Sequence, residues 1–250
     1  MKTVYYNSET DDVITSKKQD YKLKIDYKWI HKNIFYTFLS YILYYIVLVI
    51  AFIYSKFFLH VTIKNRKVLK DTYFIYSNHT LTLGDVLNPF LISFPKRPYI
   101  ICSPSNLGIP IIGHILPIVG ALPIPDNIHD LQKLRDAINY HIEKKHPIYI
   151  YPEAHLWPYY TNIREYPKTS FHFPIENNAK TYVATTTYQK RKYGKKPKIT
   201  IYVDGPILKN DKLSKKENIT SIHAQVYKIM KENSLKSNYQ YIEYKKKDCD

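Results

Sequence analysis

The sequence predicts one α/β domain carried behind an apolar, membrane-attached helical segment. Short β-rich stretches recur from residue 72 onward, stretches with helical spacing lie among them, and a long uncharged run precedes them all. Strands alternating with helices are the pattern of an α/β layer fold. A chain of 250 residues is long enough for a full core, and a hydrophobic content of 45% argues against global disorder. No internal repeat is visible.

Residues 1–33 read as a polar arm of mixed charge without clear period, expected to be mobile or peripheral. Next comes IFYTFLSYILYYIVLVIAFIYS (34–55), uncharged throughout. As a helix it would be about 33 Å long, enough to cross the hydrocarbon core of a bilayer. It starts too late and runs too long for a cleaved signal peptide. Tyr36, Tyr41, Tyr44, Tyr45 and Tyr54 lie inside it, and tyrosine prefers the headgroup level. A helix lying in one leaflet, with FFLHVTI (57–63) as a second dip, therefore fits as well as a spanning one. Lys28, His31 and Lys32 precede the run and Lys56 follows it, so flanking charge does not orient it. A buried core helix is the soluble alternative.

The domain proper is expected over 64–234. Its strands are read at TYFIYSN (72–78), RPYIICS (97–103), HPIYIYPE (146–153), KTYVATTTY (180–188) and KITIYVDGPI (198–207). Between the third and its predecessor, residues 126–145 have helical spacing, with Ile128, Leu131, Leu134, Ile138 and Ile142 on one face. Asp126 or Asn127 can cap this helix, and Pro147 marks its end. A second helix is read at 215–234 from Ile219, Ile222, Val226 and Ile229. The tail, 235–250, is basic and polar and is expected to be loosely held.

The net charge of +16 must face something. Anionic membrane, acidic protein, nucleic acid and plain solvent are all compatible with it. Residues 190–250 hold sixteen Lys or Arg against seven Asp or Glu. No recognisable nucleic-acid motif or regular basic-aromatic stripe is present, and the uncharged 34–55 run counts against nucleic acid as the partner. Cys102 and Cys249 are too few for a disulfide framework, so a reducing, cytosol-facing setting is expected.

Two stretches hold chemistry. In NHTLTLGD (78–85), a histidine follows a strand and an aspartate follows six positions later. An imidazole can take a proton from a hydroxyl if a carboxylate fixes its other ring nitrogen. A helix starting near Leu81 or Gly84 would favour negative charge there. In the second stretch, a strand runs into Pro152 and Glu153, followed by a loop dense in aromatics and cations, with His155, Arg164, Lys168 and His172. Ligands of α/β proteins sit at such strand ends. Glu153, His155 and His172 are imaginable as metal ligands, but no spacing enforces that set, and no metal is expected.

NHTLTLGD, followed about seventy residues later by YPEAH, resembles the lysophosphatidic acid acyltransferase family of glycerolipid acyltransferases. The family's first block is Asn-His then Asp, and its later block is (Phe/Tyr)-Pro-Glu-Gly. LGIPIIGHILPIVGALPIPD (107–126) is similar to the block between them. The resemblance covers roughly residues 60–210. It implies a single mixed-sheet acyltransferase-like domain, with His79 as general base, Asp85 orienting it, and Asn78, Glu153, His155, Arg164 and Lys168 around the substrates.

The reaction implied moves a fatty-acyl group from a thioester donor, acyl-CoA or acyl carrier protein, to a glycerol hydroxyl of a lysophospholipid. The default acceptor is 1-acyl-glycerol 3-phosphate. Backbone N–H groups near the histidine loop or the middle block would stabilise the oxyanion. No cofactor is implied, and the catalytic domain would face the cytosolic side of a membrane.

The chain departs from the family pattern in three places. Five residues separate His79 from Asp85 where the family usually has four; Gly84 is expected to absorb the extra residue in a turn. Asp126 stands where the middle block usually ends in Arg. Ala154, His155 and Leu156 stand where the later block has Gly-Thr-Arg. Arg164, Lys168 or Arg135 would have to replace the missing phosphate-binding arginines. A non-catalytic lipid-binding relative and an acyl hydrolase using the same His-Asp pair are the competing readings.

Overall fold

The computed structural model describes residues 2–14 and 20–247. A mixed sheet of seven strands forms the centre. In chain order its strands are β2 (Val61–Lys64), β3 (Tyr73–Ser77), β4 (Tyr99–Cys102), β5 (Ala121–Pro123), β6 (Ile148–Ile150), β7 (Lys180–Gln189) and β8 (Lys198–Ile207), numbered after an N-terminal strand β1 (Lys2–Tyr6). Their spatial order is β2-β8-β7-β3-β6-β4-β5, and only the β7–β8 pair is antiparallel. The α/β class with a mixed sheet is therefore the architecture observed.

Parallel strands covered on both faces must be apolar throughout. All five residues of β3 are buried. Phe74 and Tyr76 join one core with Ile148, Ile150 and Val183, while Tyr73 and Ile75 join the other with Tyr149, Tyr182 and Ala184. The first core is closed by α4 (Ile128–Glu143) and, after the one-turn α5 (His172–Glu176), by α6 (Lys215–Ser234), through Leu134, Ile138, Ile142, Ile222, Val226 and Met230. Asn127 caps α4, its side chain accepting from Asp130 N at 2.8 Å. Ser214 and Glu217 form a reciprocal capping box on α6. Ile128, read as part of the buried face of α4, is instead 89% exposed at the first position of the helix.

The long apolar helix α1 (Ile34–Ile53) continues through a wider turn to Phe58. Among the described residues it is the helix long and apolar enough to cross a bilayer. It packs on α2 (Gly84–Ser93) and α3 (Ile112–Val119) by a narrow face, with Ser40, Tyr44 and Ala51 buried. Its remaining faces leave Phe35, Phe38, Tyr45, Val49 and Phe52 exposed, so the soluble core-helix alternative does not describe it.

Three expectations need correction. FFLHVTI is not a second dip: its last part is β2, paired with β8 from Val61↔Ile199 to Lys64↔Tyr202, so its backbone groups belong to the sheet. The tail is held as far as it is described, because β9 (Ile242–Lys246) pairs in parallel with β1; residues 248–250 lie outside the described residues. Nor is the N-terminal arm free of the domain. Trp29 is buried and donates to the Pro123 carbonyl at 2.9 Å, and β1 is tied to β9.

Candidate active site

Strands β3 and β6 are direct neighbours, with Phe74 opposite Ile148 and Tyr76 opposite Ile150. Each is followed at its carboxyl end by one of the two chemical stretches, so the register brings His79 and Glu153 together. The first turn after β3 leads straight into α2, whose first turn holds Asp85.

His79 Nδ1 lies 2.9 Å from Asp85 Oδ2. Thr80 N and Leu81 N each donate to the same oxygen at 2.7 Å. The helix start also favours a carboxylate there. Asp85 is buried, whereas the His79 side chain is 22% exposed. With Nδ1 engaged by a carboxylate, the imidazole keeps Nε2 for a substrate proton. Because Asp85 occupies the N–H groups of Thr80 and Leu81, these two are not free to serve as oxyanion donors.

The role of Gly84 differs from the expectation. It is the first residue of α2 rather than a left-handed turn, and a Cβ there would come within 2.9 Å of both Leu81 Cβ and Leu81 Cδ1. Glycine serves close approach here. The helix can start tight against Leu81, and Asp85 then reaches back to the imidazole.

Glu153 is buried and points inward. Its Oε2 accepts from His79 N at 3.1 Å and pairs with Arg164 Nη2 at 3.1 Å, while Oε1 accepts from Arg164 N at 3.1 Å. Burial raises the Glu153 pKa; the Arg164 charge and the backbone N–H groups work in the opposite direction. Arg164 is 1% exposed. It also donates to the carbonyls of Glu9 and His155, and its guanidinium lies over the Trp157 ring. It is thus an internal counter-ion for Glu153 and not a free ligand for an acceptor phosphate.

The other expected cations also lie elsewhere. Lys168 Nζ is 3.4 Å from Thr220 Oγ1 on α6, and Arg135 lies on α4 near Glu176. Asn78 is buried and clasps β7, donating to Thr186 O at 3.0 Å and accepting from Thr186 N at 2.8 Å. Both ends of its amide are used to fix the loop. His155 Nδ1 pairs with Asp12 Oδ1 at 2.6 Å, joining the loop to the N-terminal arm. His172 Nε2 sits 3.8 Å from Glu176, so Glu153, His155 and His172 have separate partners.

Two further positioning residues, Tyr151 and Tyr188, carry no role in the sequence reading, and Trp157 figures there only as one aromatic of the loop after Glu153. Tyr151 stacks on His79 with ring centroids 4.6 Å apart and donates from its hydroxyl to the Asp85 carbonyl at 2.6 Å. Trp157 N donates to His79 O at 3.1 Å, and Tyr188 Oη bonds to Thr80 Oγ1 at 2.7 Å. The signals available were Tyr151's place directly before Pro152 and Glu153 and Trp157's place in the aromatic loop that follows.

The architecture is an α/β fold with a mixed sheet, a loop histidine paired with a helix aspartate at a strand end, and an apolar helix in front. The chain is similar in structure to the 1-acyl-sn-glycerophosphate (LPA) acyltransferase PlsC of Thermotoga maritima. The TM-score is 0.55 at 14% sequence identity, covering 82% of this chain and 88% of that one. At that identity the likeness is one of fold. No protein-family profile and no curated protein sequence matches the chain.

Proposed function

We propose that this protein is a membrane-attached acyltransferase. It moves a fatty-acyl group from a thioester donor, acyl-CoA or acyl carrier protein, to a glycerol hydroxyl of a lysophospholipid. The acceptor favoured by the resemblance is 1-acyl-glycerol 3-phosphate. The observation that carries the reading is the 2.9 Å His79–Asp85 contact at the carboxyl end of β3.

In this scheme His79 Nε2 takes the proton of the glycerol hydroxyl while Asp85 holds Nδ1–H. The oxygen attacks the thioester carbonyl, the carbon–sulfur bond breaks, and the departing thiolate takes the proton back from His79. Water and metal are needed in neither half of the exchange. Glu153 acts by fixing the His79 backbone and by holding Arg164.

An apolar groove of about 460 Å³ between α1, α2 and β2 suits the acyl chain. Ser55 lines it and donates at 3.0 Å to Asn88, one helical turn from Gly84. Because α1 docks by a narrow face and exposes the rest, it suits a helix lying in one leaflet, with the domain on the cytosolic surface.

The test is acyl transfer by membranes or purified protein, pairing labelled acyl donors with lysophosphatidate, glycerol 3-phosphate and uncharged lyso-lipids. Transfer that disappears in His79→Ala supports the reading. Release of free fatty acid without an acceptor would point to a hydrolase. Lipid binding without turnover would leave a non-catalytic relative.

A further inference from the structure

Arg97 is 6% exposed, yet among the described residues no carboxylate lies within ion-pair distance of it. Its guanidinium donates to Ser40 Oγ at 2.8 Å and to the Ile118 carbonyl at 2.6 Å, and it lies over the rings of Tyr41 and Tyr99. Its Nε is buried without a partner. A buried charge compensated only by neutral groups is costly, and such charges are ordinarily paired.

Arg97 opens onto a pocket of about 250 Å³ that Lys96, Lys144, Lys145 and His146 also line. Among the described residues no Asp or Glu lines it. Lys96 Nζ donates to the Asp71 carbonyl, and the Asp71 carboxylate is engaged by Lys180 at 2.5 Å. Lys145 has φ +61° just past the end of α4, a left-handed position that usually takes glycine or asparagine. Burial first, and then the positive charges of Arg97 and Lys144, lowers the pKa of His146 to about 4.

The remaining wall is α1, through Tyr41, Tyr44 and Tyr45. Tyr41 and Tyr45 are exposed beside the apolar Phe38, Ile42 and Val49 of the same helix. Tyrosine hydroxyls mark the headgroup level, and basic pockets beside membrane helices bind lipid headgroups. Arg97 and His146 precede β4 and β6, at the amino ends of the strands, whereas His79 follows the carboxyl end of β3. The pocket therefore lies at the opposite edge of the sheet from the His-Asp pair.

We infer that this pocket binds the phosphate group of an anionic phospholipid headgroup and seats the amino-terminal half of α1 on the bilayer. The inference rests on the membrane part of the function proposed above, not on the transfer reaction.

The test is flotation of the full chain with phosphatidylcholine vesicles, with and without phosphatidylglycerol. Lys144→Ala/Lys145→Ala is compared with Lys195→Ala/Lys196→Ala, a charge-matched pair in an exposed loop. The expected result is preference for phosphatidylglycerol that falls about tenfold in the first pair and much less in the second. Arg97→Gln should lose the preference as well. Equal losses in both pairs, or binding indifferent to phosphatidylglycerol, would overturn the pocket while leaving membrane attachment intact.

Absence of binding to either vesicle would sink both the pocket and the membrane reading. Inorganic phosphate that raises the melting temperature and displaces the protein from phosphatidylglycerol vesicles would assign the site to free phosphate and overturn the lipid source. Transfer in detergent micelles by Lys144→Ala/Lys145→Ala is expected to equal that of the parent. If the parent has no transfer but keeps the lipid preference, only the catalytic proposal fails.

Discussion

Asp85 Oδ2 lies 2.9 Å from His79 Nδ1 and at the same time closes the loop between them, accepting from Thr80 N and Leu81 N. One carboxylate oxygen therefore sets both the orientation of the imidazole and the shape of the turn that carries it. Asp85→Asn should reduce transfer roughly 10²- to 10⁴-fold and also lower stability by about 1–3 kcal/mol. His79→Ala should lose comparable activity with a smaller effect on melting, since its side chain is partly exposed. Activity and thermal unfolding measured side by side check the pair; equal melting losses in both variants would contradict it.

Gly84→Ala places a methyl group 2.9 Å from Leu81 Cβ, an atom that cannot swing away. The helix start must shift, and Asp85 with it. A loss of about 1–3 kcal/mol and a drop in kcat are expected. Unchanged kcat and melting temperature would show that the turn tolerates the extra carbon.

Ala154 has φ +60°, a backbone region that favours glycine. Ala154→Gly should relieve strain and raise stability by up to about 1 kcal/mol, net of the flexibility gained by the unfolded chain. Chemical denaturation would register it as a higher midpoint with an unchanged slope.

Glu153→Gln leaves the Arg164 charge buried without its carboxylate. Breaking a buried pair on one side costs about 3–5 kcal/mol. The variant should therefore melt well below the parent, and any activity lost should follow from the displaced His79 loop. Soluble, normally melting protein with weakened acceptor binding would instead make Glu153 a direct substrate contact.

His141 and His146 face each other, with Nδ1 atoms 3.3 Å apart, in a neighbourhood formed by Tyr99, Tyr140, Arg97 and Lys144. Burial, followed by positive neighbours, lowers their pKa values to about 3 and about 4. The unfolded chain binds more protons in that range, so stability is full above about pH 6.5 and declines as pH falls towards 4. His141→Gln should flatten the slope of unfolding free energy between pH 6.5 and 5. A slope identical to the parent's would remove these histidines as its source.

The long strands and amphipathic helices were legible because their patterns are local. KITIYVDGPI reads as a strand and is β8 residue for residue, and the spacing of Ile222 and Val226 places both in the core. β6 is as short as β5 yet legible, because Pro147 and Pro152 bracket its apolar run; β5 and β2 lie inside longer apolar stretches with no such boundary, and only pairing to neighbours distant in sequence makes them strands. His79 and Asp85 were legible as a spacing. Arg164 was not, because nothing local distinguishes a buried counter-ion from an exposed phosphate ligand.

Strand β1 meets β9 with Thr3 beside Glu243, 240 positions away. Their aromatic residues, Tyr6 and Tyr244, pack against the Trp157 ring at 4.7 Å and 5.0 Å. Trp157 is also the residue whose N–H holds the His79 carbonyl. During synthesis, His79, Asp85 and Glu153 all leave the ribosome long before Tyr244 does. The brace behind the histidine loop stays half-built until translation has passed residue 246. Until Tyr244 has emerged, a nascent chain would therefore hold His79, Asp85 and Glu153 yet lack part of the clamp behind the histidine loop.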